Sequence, residues 1–512
     1  MVNTKKIIGL ILIILTTYSC KVYKKVYLPS QNGIQGYHGT NQTIKHQMAL
    51  TNAQRLEVYQ AEKAFIKNGD DLGWGLAMSG GGIRSATYNF GALKALYDLG
   101  LFQKMQIISS VSGGSYMSYG LYTNYENHKN KEKPFGYYSF SDSVFLQETC
   151  SKQSLGNFVI NGKYALAIMS PPKLAFNIYK KEIQRGYGHK LPLSYKINSL
   201  NPEIKRGDAP YFIINTTLAA KKESDWLNRV VEFTPAYFGN PEIGFTKWNN
   251  NNTLDWSEAT TTSAAALKFK LLNKVPYNGS AISKNYLALS DGGHSENLAA
   301  IGLIRRGVKN IIIIDAEHNK NYSFDGYLIL KHKLQKELNL NLDIKAIDDF
   351  LIQREVDPKT ILKTAVHKGT ISSIPLEGAK QELLTINIYY VKMSMPQNML
   401  AQRRDKGKVN GGAIADSVFK NTTCVKRNEK RKCKNYNCSP LANYITPDIN
   451  NLALYWVNSY ATFLNNKKKW KRIGYTFPHT TTADQSFYRD QLAAFIGLGY
   501  LQALELEEMV LK

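Results

Sequence analysis

Three short stretches of this chain hold the residue types that acyl transfer needs. Ser79 to Ser85 reads SGGGIRS, Ser109 to Ser115 reads SSVSGGS, and Ser290 to Asn297 reads SDGGHSEN. A serine in a sharp turn can act as a nucleophile, and a carboxylate ahead of two glycines can be brought beside it as a base. A glycine run can offer backbone N–H groups to a developing oxyanion. Met105 to Ser109 is apolar and β-branched, Ser110-Val111-Ser112-Gly113-Gly114 follows, and a helical run starts at Tyr116. That order of strand, turn and helix is the setting of a nucleophile elbow with Ser112 at its apex. Ser110 stands where the first glycine of G-x-S-x-G is usual.

Gly80, Gly81 and Gly82 follow a short strand, Gly75 to Met78, and open an amphipathic helix lined by Ala86, Phe90, Leu93 and Leu96. Free N–H groups at a helix N-terminus face an anion. A phosphate cradle for a nucleotide is the competing use. The run lacks a G-K-[ST] ending and does not follow G-x-G-x-x-G, so an oxyanion hole fits better. Arg84, on the first turn, either contacts a headgroup phosphate or forms a surface salt bridge. Asp291 follows the strand-like run Tyr286 to Leu289 and precedes Gly292-Gly293. Asp315, after the buried-strand pattern Ile311 to Ile314, is the competing carboxylate, but no turn residues follow it. His294 and His479 leave a Ser-His-Asp triad open.

G-G-G-x-R, then a serine elbow, then D-G-G resembles the patatin-like phospholipases, and more closely their branch near the cytosolic phospholipases. Val231-Glu232-Phe233-Thr234-Pro235, Thr262-Ser263-Ala264-Ala265-Ala266 and Glu296-Asn297-Leu298 fit the same comparison, which covers about half the chain, Gly73 to Glu317. The resemblance implies a three-layer α/β/α hydrolase with a mostly parallel central sheet and added helical and loop insertions. It implies a Ser–Asp dyad without histidine: Ser112 as nucleophile, Asp291 as base, Gly80, Gly81 and Gly82 as the oxyanion hole, and Arg84 on the substrate phosphate. Phe477-Pro478-His479-Thr480 also looks like a piece seen in bacterial members and is given no catalytic role.

The first twenty residues read as an export signal. Lys5-Lys6 precede an apolar run, Ile7 to Leu15, too short to span a bilayer, and small residues lead to Cys20. A cysteine in that place resembles a lipoprotein box, which implies cleavage before Cys20 and lipidation of its thiol on a bacterial membrane, with plain secretion as the alternative. The formal net charge is +25, from 65 Lys+Arg against 40 Asp+Glu. With no zinc-finger, RNP or basic-zipper pattern, that charge points to an anionic membrane surface rather than nucleic acid. Cys424, Cys433 and Cys438 sit in a basic segment, where a disulfide, with Cys150 free or as fourth partner, is preferred to zinc. No metal or other cofactor is expected.

These features divide the chain into a signal at 1–19, a tether and helix at 20–70, a catalytic core at 71–320, and an extension of the same domain at 321–512. Between the catalytic halves, Glu132 to Ile204 reads as a helical layer in preference to a cap. Tyr211 to Asn215, Val230 to Phe233 and Leu384 to Met393 read as strands, and Tyr327 to Leu338 and Gln491 to Glu507 as helices. The expected activity is acyl-ester hydrolysis of phospholipids or other acyl lipids, of phospholipase A or lysophospholipase type. A thioesterase or acyltransferase using the same dyad, or a non-catalytic lipid-binding lipoprotein, is the alternative.

Overall fold

The computed structural model describes residues 59–129, 132–142, 172–188, 195–218, 229–241, 244–248, 253–265, 273–276, 286–319, 321–373, 385–399 and 489–511, with a few positions from 449 to 487. All lie in the compact unit Leu50–Lys512. The signal segment, Cys20, Cys150, Cys424, Cys433, Cys438 and the basic clusters after Arg403 lie outside the described residues.

The strands, in chain order, are β1 (Trp74–Met78), β2 (Ile107–Val111), β3 (Tyr211–Leu218), β4 (Val230–Phe233), β5 (Tyr237–Asn240), β6 (Gly244–Lys247), β7 (Asn273–Pro276), β8 (Tyr286–Asp291), β9 (Asn310–Asp315), β10 (Leu340–Asp343), β11 (Val366–Ser373) and β12 (Thr385–Lys392). They form one mixed sheet in the order β10-β11-β12-β9-β1-β2-β3-β4-β5-β6, with β8 also on β3 and β7 on β8. The five central strands, β12 to β3, run parallel, and both flanks are antiparallel. The helices used below are α1 (Gly82–Asp98), α2 (Gly113–His128), α3 (Pro172–Tyr187), α4 (Trp256–Ser263), α5 (Lys345–Val356) and α6 (Arg489–Leu504).

Composition explains the centre. Ile311 to Ile314 of β9 are fully buried, as are Leu76 and Ala77 of β1, so neither face of these strands tolerates water. Parallel strands buried on both faces need helical cover. α1 supplies part of it and is itself covered by α6. There Gly91 and Gly499 let the helices approach so closely that an added Cβ would lie 1.8 Å from the Ile496 carbonyl oxygen or 2.1 Å from that of Tyr88.

Strand registers then deliver the site. Met78 pairs with Ser110 and Ile314, so the turns after β1, β2 and β9 leave the same end of the sheet, where ligands of parallel sheets bind. Val111 pairs with Asn215 of β3, and the next β3 residue, Thr216, pairs with Asp291 of the antiparallel β8. Ser112 and Asp291, 179 residues apart, are thereby set level with each other.

Some elements differ from the sequence expectation. β2 begins two residues later than the apolar run, at Ile107, because Gln106 turns its side chain to accept the Gly73 N–H at 2.6 Å. Within 132–204 the described helices are Tyr137–Phe140, Pro172–Tyr187 and the start of Asn201–Arg206, while Lys196 forms a β-bridge with Asp255; α3 starts at Pro172, whose fixed φ suits a first helical position. The antiparallel pairing of β10 with β11 and the α5 helix between them in the chain are additions to that expectation, because a strand as short as Leu340–Asp343 carries too few alternations to register. Glu232 of the Val-Glu-Phe-Thr-Pro stretch is wholly buried in an ion network, 2.8 Å from Arg306, which pairs with Glu62 at 2.7 Å. Its role is to close the sheet against the N-terminal helix rather than to meet substrate.

Candidate active site

Ser112 is the residue between β2 and α2. Its φ of 49° and ψ of −115° lie where a side chain is rarely tolerated, at a cost of about 1–3 kcal/mol. The strained turn is enforced by its neighbours. Gly113 packs on the glycine turn so tightly that a Cβ there would sit 2.2 Å from the carbonyl oxygen of Gly82 and 2.5 Å from its nitrogen. The elbow and the glycine turn are one unit, joined backbone to backbone.

The Ser112 hydroxyl donates to Asp291 Oδ2 at 3.0 Å. Asp291 Oδ1 accepts the Gly293 N–H at 2.8 Å. Serine and aspartate are 7% and 5% exposed, so the pair is largely shielded from solvent. Burial pushes the Asp291 carboxyl up to about 7, against the lowering effect of the Gly293 N–H and the Ser112 hydroxyl. A carboxylate in that range is a competent proton acceptor near neutrality.

Neither sequence-flagged histidine bonds to this pair. His294 Nδ1 faces Ser290 Oγ at 3.3 Å. His479 is buried and held neutral, well below its ordinary range, by desolvation and by the nearby Lys392, His318 and Arg84 charges. Its Nδ1 accepts the Asn319 N–H at 3.4 Å. Asp315 is committed elsewhere, accepting from Lys392 Nζ at 2.6 Å, from the Tyr390 hydroxyl and from the Glu317 N–H at 2.9 Å.

Two sequence expectations need correction. Gly80 is not a free donor, because its N–H is given to the Asn297 carbonyl at 2.9 Å. Gly81 and Gly82 remain, as N-cap and first residue of α1, where N–H groups have no intrahelical acceptor. Arg84 lies neither on a surface salt bridge nor toward a headgroup. It is 1% exposed, and its guanidinium donates to the Ala316 carbonyl at 3.1 Å, to the Thr480 carbonyl, and to Thr482 Oγ1 at 3.3 Å. Desolvation draws it down to about 10, opposed by Glu317 and Asp315. The arginine of the glycine turn and the Phe-Pro-His-Thr stretch, two motifs far apart in the chain, meet each other.

One supporting residue had no assigned role in the sequence. Ser263, at the end of α4, accepts the Ser112 N–H at 2.9 Å, donates to the Asn215 carbonyl at 2.7 Å, and lies 3.1 Å from Ser115 Oγ. Two residues on, the Ala265 carbonyl accepts the Asp291 N–H at 3.4 Å. The small-residue run at 262–266 was its only signal: side chains this small let α4 reach both halves of the pair. Among the described residues, no group of three or more His, Cys, Asp or Glu side chains is arranged to hold a metal ion.

Comparison with known proteins bears on the family and the fold. The sequence model of the patatin-like phospholipase family matches residues 76–370. No curated protein matches the chain. Among solved structures, human GIVD cytosolic phospholipase A2 is similar, at 11% identity and a TM-score of 0.50, over 90% of this chain and 63% of that one. The same enzyme in complex with a methyl gamma-linolenyl fluorophosphonate inhibitor and terbium chloride gives 14% and 0.46, over 90% and 62%. VipD from Legionella pneumophila gives 9% and 0.24, over 85% and 91%. The likeness to the human enzyme is one of fold, and this chain spans less than two thirds of that enzyme's length. The family match is broader in meaning: it takes in more than half of the chain, the glycine turn, the elbow and the aspartate included, and the protein belongs to the patatin-like phospholipase family.

Proposed function

We propose that the protein is a serine acylhydrolase that cleaves acyl esters of phospholipids or lysophospholipids through a Ser112–Asp291 dyad. The observation that carries this reading is the 3.0 Å hydrogen bond from Ser112 Oγ to Asp291, with no histidine between them. As Oγ attacks the ester carbonyl carbon, its proton passes to Asp291 and the carbonyl electrons move onto oxygen. The N–H groups of Gly81 and Gly82 face that oxyanion. Collapse breaks the ester C–O bond, the departing alkoxide takes the proton from Asp291, and the acyl group stays on Ser112. Water then repeats the sequence with Asp291 as base, releasing the fatty acid. Mass-spectrometric product analysis on phospholipids, neutral lipids and acyl-thioesters tests this. Free fatty acid from the phospholipids is expected, and its absence there alongside release from thioesters would move the substrate class.

The pH profile follows from the base. Asp291 must be ionised to accept the serine proton, and its pKa is pushed up to about 7. kcat/KM for an uncharged ester is therefore expected to rise with pH as one ionisation through the neutral range and to fall on the acid side. A profile flat across that range would require a different base.

Arg84→Ala is expected to lower kcat/KM for phospholipid and for a p-nitrophenyl ester by the same factor. Removing a buried charged donor set costs about 3 kcal/mol or more, so the melting temperature should fall as well. Arg84→Lys should restore little, since one ammonium cannot span acceptors on Ala316, Thr480 and Thr482. A selective loss on phospholipid would return Arg84 to the substrate.

A further inference from the structure

The two faces of α3 differ in chemistry. Its inward face, with Phe176, Tyr179, Ile183 and Tyr187, is buried. The Tyr179 hydroxyl pairs with that of Tyr116 on α2 and donates to the Ala264 carbonyl at 3.3 Å, while Gln184 donates to Ser257 Oγ of α4 at 2.8 Å. This face rests on the two helices whose ends hold Ser112 and Ser263.

At 3.6 residues per turn, Leu174, Ile178, Lys181 and Arg185 share the opposite arc, and Lys173 and Lys180 lie on its flank toward the buried face. Leu174 is 51% exposed, Lys173, Lys181 and Arg185 are exposed, and Ile178 and Lys180 are half-buried. No carboxylate stands on that arc. The acid of this helix, Glu182, is buried beside that arc and pairs with Arg185 one turn on. Lys173, Lys180 and Lys181 have no carboxylate partner among the described residues.

Exposed leucine amid lysines suits the interface of an anionic bilayer. Apolar side chains enter the boundary between headgroups and acyl chains, and the ammonium groups reach back to lipid phosphates. The charge decides between this and a second apolar surface, on α5. Ile352 and Val356 of α5, 63% and 86% exposed, stand beside Glu355 and Asp357, which an anionic surface would repel, while Asp348 and Asp349 are paired with Lys331 and Lys345.

We propose that the outer face of α3 seats the protein on an anionic lipid bilayer, holding Tyr116 and the end of α4 about one helix diameter, ~10–12 Å, from the headgroups. This deepens the acylhydrolase reading and rests on it for its purpose. The binding itself does not depend on catalysis, so the test separates the two. The full chain, in a Cys20→Ser background, is sedimented with vesicles of non-hydrolysable ether-linked phosphatidylcholine, with and without ether-linked phosphatidylglycerol. The protein is expected to partition onto the phosphatidylglycerol vesicles, more weakly as salt rises. At about five-fold per lysine, Lys173→Gln/Lys180→Gln/Lys181→Gln should lose about a hundred-fold, and Leu174→Ser should lose several-fold. The control Ile352→Ser/Val356→Ser should bind unchanged, and all variants should keep their p-nitrophenyl ester turnover. The proposal is overturned if the triple variant or Leu174→Ser binds like its parent, if the control loses as much, or if the parent binds neither vesicle or both alike. Should the ester assay show no activity at all, the hydrolase reading fails while the vesicle result still decides this one.

Discussion

Ser112→Ala is expected to abolish hydrolysis of a short-chain p-nitrophenyl ester, with a loss of at least about 10⁴-fold in kcat, in a protein that remains folded. A methyl group cannot attack a carbonyl. Alanine carries the same Cβ through the strained φ of 49°, so the turn is no worse for the change. The bond to Ser263 uses the backbone N–H of residue 112 and survives. A fluorophosphonate probe should label the wild type and fail on the variant. The neighbouring serines are poor substitutes. Ser79 Oγ donates to the Gly80 carbonyl and accepts the Ala316 N–H at 2.7 Å, and Ser110 Oγ is buried against Ser115. Labelling that persists in the variant would show that the nucleophile has been misassigned.

Asp291→Asn is expected to be nearly as damaging, because an amide cannot take the serine proton. His294→Ala should be much milder, since that ring faces Ser290 and not the dyad. His479→Ala should act only through the packing around Arg84. If either histidine variant fell by about 10⁴-fold with an unchanged melting temperature, a triad would replace the dyad. The aspartate variant also has a stability signature. Folding raises the Asp291 pKa from 3.8 to about 7, so the neutral carboxyl is favoured in the folded state. The stability present below the ordinary carboxylate pKa is lost as pH rises through about 7. Relative to wild type, Asp291→Asn should therefore gain stability across that window and hold a constant advantage above it. Parallel unfolding curves at all pH values would mean that the carboxyl is not desolvated.

How much of this was legible in the sequence depends on how local each signal is. The elbow, the glycine turn and the Asp-Gly-Gly turn announce themselves because turn chemistry is written in adjacent residues. The isoleucine run of β9 and the strand before Asp291 were readable for the same reason. Partnership was not. That Gly80 spends its N–H on Asn297, and that Ser263 holds the elbow, follow from which strands adjoin. Arg84 shows the limit most clearly. An arginine one turn into a helix looks solvent-facing until the residues after β9 and the Phe-Pro-His-Thr stretch are laid against it. It then becomes a buried donor set whose acceptors, Thr480 and Thr482, lie nearly four hundred residues away.

That clamp sets an order on biosynthesis. A ribosome completes the glycine turn, the elbow and the Asp-Gly-Gly turn well over a hundred residues before it reaches Thr480. Until then the Arg84 guanidinium lacks two of its acceptors and α1 lacks the helix that covers it. A nascent chain therefore carries every reacting group without the brace that fixes the turn. The glycine turn takes its final form only once the Phe-Pro-His-Thr stretch and α6 have docked. A chain stopped after residue 400 should accordingly be recovered as an inert or insoluble fragment and not as a minimal hydrolase.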